Sequence, residues 1–129
     1  MEKLTVIIPT KNRPKFIRRS VRYWNNYNFP IVIADGSDNS QKEWMSLNAN
    51  HNIEYFHKKV SFPKRLSMAG KLIKTKYTIF LCDDEFYAVE ALKKCINFLD
   101  LNNDFIAVNG RVIGFANINN KIVCRDIYP

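Results

Sequence analysis

The stretch Tyr77–Phe86, YTIFLCDDEF, carries a short apolar run straight into three consecutive carboxylates, Asp83, Asp84 and Glu85. An apolar run of this length, bounded by polar residues, predicts a buried strand over 77–82. Side chains alternate along extended chain, so Asp83 and Glu85 are expected to share a face and Asp84 to take the other. Three adjacent like charges raise one another's pKa unless a cation compensates them. The stretch therefore raises two questions: what sheet holds the strand, and what positive group meets the acids.

Working outward, the same signature recurs. LTVIIP (4–9) and PIVIAD (30–35) are β-branched runs that predict buried strands, and IEYFH (53–57) predicts a shorter one. Between them lie helical patterns. A helix is expected from Pro14 to about Tyr27, with proline near its first position and a basic face of Lys15, Arg18, Arg19 and Arg22. A second is expected from Ser40 to about Ala49, a third over 62–75, and the cleanest over 88–101. FIAVNGRVIGF (105–115) and KIVCRDI (121–127) read as strands joined by the turn-prone NINN, a hairpin or a sheet extension. Strand and helix alternating four times predict an α/β fold with a mostly parallel sheet and right-handed crossovers. Such sheets bind ligands at the carboxyl ends of their strands.

At 129 residues the chain is expected to be one domain, 1–129. Twenty Lys plus Arg against twelve Asp plus Glu leave a net charge of +8, which attracts phosphate, nucleotide or an anionic membrane face. Cys82, Cys95 and Cys124 have neither CxxC nor zinc spacing, so Cys82 and Cys95 are expected as small core residues in a cytoplasmic setting. No window approaches the roughly 20 apolar residues of a membrane span, so any membrane contact is expected to be peripheral. The aromatic residues fall in core patterns, not on a stacking surface, so nucleic acid is not an expected partner.

Three strand ends carry unusual chemistry. After the first, PTKNR offers Lys11 and Arg13 to a phosphate or to solvent; it lacks the glycines of a P-loop. After the second, Asp35 beside Gly36 either accepts hydrogen bonds from a ribose or base, or opens an Asx-turn. After the fourth, Asp83, Asp84 and Glu85 suit a hard divalent ion, Mg²⁺ or Mn²⁺; the alternative is an acidic cap on the following helix. Position on a parallel sheet edge favours the ion. Arg65 could reach the acids or a phosphate, although a solvated helix face is the simpler expectation. His51 and His57 lack ligand spacing and are expected as a surface and a semi-buried histidine.

Taken in order, LTVIIPTKNRP, IVIADGSDNS, PKRLSMAG and KYTIFLCDDEF resemble the nucleotide-sugar-binding half of family 2 glycosyltransferases over roughly residues 3–115. The resemblance implies a GT-A, Rossmann-like three-layer sandwich. It implies that Thr10, Arg13, Asp35, Arg65 and Asp83 contact the donor nucleotide, a UDP-sugar first among them. Asp83, Asp84 and Glu85 fall on the family's DxD-type motif, which holds Mn²⁺ or Mg²⁺ against the donor diphosphate. The implied reaction is sugar transfer to a hydroxyl of a glycan, lipid or small-molecule acceptor. Two features depart from the family pattern: Ala34 stands where the first acid of DDGS is usual, and the acids read DDE. The resemblance also implies a chain short of a full catalytic domain, with no general base assigned; Asp126 is the only late acid. The alternatives are a non-catalytic nucleotide- or partner-binding module and a Mg²⁺-dependent nucleotidyltransferase. The latter would want a glycine-rich loop where PTKNRP stands.

Overall fold

A computed structural model describes residues 3–128. The chain divides into two compact units, Met1–Tyr87 and Ala88–Pro129.

The first unit is the α/β part. Its strands are β1 (Leu4–Thr10), β2 (Ile31–Asp35), β3 (Ile53–His57) and β4 (Tyr77–Phe80), and its helices are α1 (Pro14–Trp24), α2 (Lys42–Asn48) and α3 (Phe62–Gly70). All four strands are parallel, in the order β3-β2-β1-β4. From β1 the chain winds outward through β2 to β3, then returns across the sheet to place β4 on the other side of β1. Right-handed crossovers put α1 and α2 over one face and α3 over the other. The winding reverses between β1 and β4, which makes their carboxyl ends the natural crevice of the sheet.

Packing follows the pleat. Ile7, Val32 and Ala34 turn to the face where Ala69 of α3 completes a buried cluster with Phe56, Leu66, Leu72 and Ile73. Val6, Ile8, Ile31 and Ile33 take the opposite face and are equally buried. Helix α1 buries Ile17, Ser20, Val21 and Trp24 at helical spacing, with Trp24 edge-on to Phe29. Both faces of β1 and β2 are dry, which is why their sequences are unbroken apolar runs.

Several expected boundaries move. β4 stops at Phe80 instead of running to residue 82, and it lies at the edge of this sheet with Thr78 and Phe80 exposed. Only Leu81 of the chain just beyond it is fully covered. Cys82, expected in the core, is therefore exposed, and Cys95 is intermediate. Helix α3 ends at Gly70, a poor helix former, and Leu72 and Ile73 pack on the same cluster from the turn that follows.

In the second unit, α4 (Val89–Leu101) is followed by an antiparallel hairpin, β5 (Val112–Ile118) and β6 (Lys121–Tyr128). The strand expected from 105 begins only at 112. The hairpin turns on Asn119 and Asn120, with φ of 51° and 60°. Consecutive left-handed residues are the requirement of a two-residue type I′ turn, and asparagine tolerates them. A register shift lies between Gly114 and Phe115: Gly114 pairs with Asp126 while Phe115 pairs with Cys124. The extra residue keeps Ile127, not Asp126, on the face shared by Ile113, Phe115, Ile122 and Cys124. Among the described residues no helix is long and apolar enough to cross a membrane.

Candidate active site

The carboxyl ends of β1 and β4 bring Thr10, Arg13, Asp83 and Asp84 together. Arg13 lies at the N-cap of α1, and its guanidinium forks across the two aspartates: Nη1 to Asp83 Oδ1 at 2.8 Å and Nη2 to Asp84 Oδ2 at 2.7 Å. The second oxygen of Asp83 accepts a hydrogen bond from Thr10 Oγ1 at 2.6 Å. Ser20 of α1 donates to the Asp83 carbonyl at 3.0 Å, and Arg19 reaches the Asp84 carbonyl at 3.4 Å. Arg13 also stacks over Phe16, 4.1 Å from the ring centroid.

The positive partner of the acidic run in this structure is thus an arginine. Its reach settles how like charges are tolerated. Asp83 is only 3% exposed and would be costly to bury as an unpaired anion. Asp84 reaches solvent, yet its hydrogen bond from Arg13 holds its carboxyl below the usual range, and Asp84 in turn raises Arg13. Alternation along a strand does not govern these residues, because residues 83 and 84 lie in a turn. Asp83 and Asp84 therefore converge on one guanidinium. Glu85 stands apart, folded back so that its carboxylate accepts the Cys82 N–H at 3.4 Å. Partial desolvation first, then the neighbouring acids beginning with Glu85, push the Cys82 thiol up.

Hard carboxylate oxygens at a strand end are the right donors for Mg²⁺ or Mn²⁺. Asp84 fits that role best, being solvent-accessible. Asp83 lies beside it but has both oxygens engaged. Among the described residues no group of three or more acid, histidine or cysteine side chains is gathered around a common point.

A second half of the site follows β2. Asp35 is fully buried, and both its oxygens are engaged: Oδ1 by the Ser37 N–H at 2.8 Å, Oδ2 by the Tyr55 hydroxyl at 2.7 Å. The Asx-turn alternative is therefore realised, and each oxygen keeps one further acceptor site. Burial is the main cause that raises the Tyr55 hydroxyl. His57 Nε2 lies 2.6 Å from the Ser37 carbonyl. A carbonyl only accepts, so that nitrogen carries the proton.

Arg65 departs most from expectation. Instead of lying solvated on a helix face, it is 4% exposed, with its guanidinium against Gly36. Nη1 donates to the Val60 carbonyl at 3.0 Å, Phe62 lies 5.9 Å from Cζ, and Nε is buried without a hydrogen-bond partner. A guanidinium desolvated this far without a carboxylate bridge is suited to an anionic ligand. The residues that sequence reasoning passed over are Asn12 and Tyr55, which tie the loops together. Only the left-handed tolerance of asparagine in TKNRP hinted at the first.

Comparisons with known proteins bear on the family and the fold. A family model described as Glycosyl transferase family 2 matches residues 5–125. An uncharacterized glycosyltransferase of Rickettsia bellii (strain RML369-C) is 34% identical over 107 residues, covering 78% of this chain and 16% of the relative. The crystal structure of S. aureus TarS 1-349 superposes with a TM-score of 0.62 at 21% identity, over 79% of this chain and 33% of that one. The structural likeness shows the fold, the GT-A arrangement that the sequence resemblance implied. The chain thus spans about a sixth of the curated relative's length and a third of the solved structure's.

Proposed function

The chain belongs to glycosyltransferase family 2, and from that premise we propose that its first unit binds the nucleoside diphosphate of a sugar donor, UDP foremost. The observation that carries this reading is the meeting of Arg13 with Asp83 and Asp84 where the sheet reverses its winding. Basic and acidic groups side by side at that crevice suit a diphosphate together with a hard cation.

Arg13 and Arg65 supply positive charge to the donor phosphates. Asp83 holds the Arg13 guanidinium through the 2.8 Å contact and is itself held by Thr10 at 2.6 Å. Asp35 anchors Ser37 and Tyr55 and so shapes the wall that faces the base and ribose. Asp84, with Asp83 beside it, would hold Mn²⁺ or Mg²⁺. When bound, that ion neutralises the charge that develops on the leaving diphosphate. The reaction is transfer of the sugar to an acceptor hydroxyl on a glycan, lipid or small molecule. Calorimetric titration with UDP, GDP and dTDP, each with and without Mn²⁺, tests the reading. Binding of UDP that strengthens with Mn²⁺ is expected; absence of heat with every nucleotide in both conditions would overturn it.

A further inference from the structure

We infer that Asn12 is a positioning residue that aims Arg13 at Asp83 and Asp84 by clipping the loop after β1 to the loop after β2. Asn12 is the only described residue of the first unit with a left-handed backbone, at φ 55°. That conformation turns the chain sharply between Thr10 and Pro14, and Arg13 leaves the turn in its forked pose. Three hydrogen bonds hold the turn. The Asn12 N–H donates to Ser37 Oγ at 2.7 Å, its amide Nδ2 donates to Asp38 Oδ2 at 2.9 Å, and its Oδ1 accepts the Asp38 N–H at 2.8 Å. The last two form a reciprocal clip that an amide can make and a carboxylate cannot.

Ser37 is itself fixed. Its N–H is held by Asp35, and its carbonyl accepts from His57. The Gly36 N–H adds a bond to the Thr10 carbonyl at 3.0 Å. The pose of Arg13 is thus referred through Asn12 to the end of β2, the strand that flanks β1 on the side away from β4. None of these contacts touches Asp83 or Asp84, so Asn12 meets that pair only through Arg13.

The inference rests on the proposed UDP site, and its test separates the two. Asn12→Gly keeps the left-handed backbone at no steric cost while deleting the clip. Asn12→Asp keeps side-chain size and backbone but sets a carboxylate against Asp38. UDP affinity is measured for both variants in the wild-type and Arg13→Ala backgrounds, alongside NMR of the Arg13 guanidinium. Asn12→Gly is expected to weaken UDP about tenfold in the wild type and not at all in Arg13→Ala, with Asn12→Asp weaker still. The Arg13 Nη signals, held distinct by the fork, are expected to merge in both variants while the melting transition stays cooperative. Equal losses in both backgrounds, or an unchanged Arg13 spectrum, would overturn the inference. If Arg13→Ala weakens UDP and Asn12→Gly does not, the donor site stands and the clip fails. If wild type binds no UDP, the donor reading fails and the Arg13 spectrum alone decides the clip.

Discussion

Replacing Gly36 by alanine should expel Arg65 from its buried seat. The backbone is no obstacle, since no described glycine has positive φ. Space is the obstacle: a Cβ on Gly36 would fall 1.8 Å from Arg65 Nη1, 2.3 Å from Cζ and 2.9 Å from Nε. The guanidinium is the far end of a flexible side chain, so it moves and the strand end does not. Moving breaks the 3.0 Å bond to the Val60 carbonyl, a charged donor's bond worth about 1.5–3 kcal/mol. Hydration of Nε, which is buried without a partner, returns part of that. A net loss of about 1–2 kcal/mol follows, or a fall in Tm of roughly 4–7 °C at the sensitivity of a chain of this length. The assay is thermal denaturation of Gly36→Ala, Arg65→Ala and the double variant, with UDP titrations of each. In the Arg65→Ala background the alanine should cost almost nothing, because the group it displaces is gone. UDP affinity should fall alike in all three. An equal cost of Gly36→Ala in both backgrounds, or an unchanged Tm, would refute the idea that glycine is there to admit the guanidinium.

Asp83→Asn keeps shape but removes the charge that Arg13 and Thr10 address, and should destabilise by about 1.5–3 kcal/mol in urea titration. Tyr55→Phe removes one of two donors to the buried Asp35, and should cost about 1–3 kcal/mol by the same measurement. The lowered carboxyl of Asp84 fixes the sign of one pH effect. A depressed folded value stabilises above the unfolded value and is lost as pH falls through the folded one. The stabilisation from the Arg13–Asp84 pair should therefore be fully present and constant between pH 5 and 8. The difference between wild type and Arg13→Ala should shrink only below about pH 4.

The sheet was legible because its chemistry is local. Runs such as VIIP and IVIA can be little else than strands buried on both faces, and the helices between them force a parallel arrangement. The three loops that build the site were legible as well, since acids and bases at strand ends stand out. What lies within those loops was not. Asp83 and Asp84 were expected on opposite faces, but the strand ends at Phe80 and a turn swings both toward Arg13, some seventy residues away in sequence. Arg65 looked like a solvated neighbour of Lys64; its burial depends on the space left by Gly36 on another element. Cys82 left the core for the same reason that β4 shortened. Each surprise is a tertiary contact overriding a local pattern.

The proposed seat of the donor diphosphate is the crevice between β1 and β4. Its most direct test is a crystal structure of the chain soaked with UDP and Mn²⁺. The diphosphate is expected beside Arg13, with the ion on Asp84. Nucleotide bound elsewhere, or an undisturbed Arg13 fork with no nucleotide at saturating UDP and Mn²⁺, would contradict it.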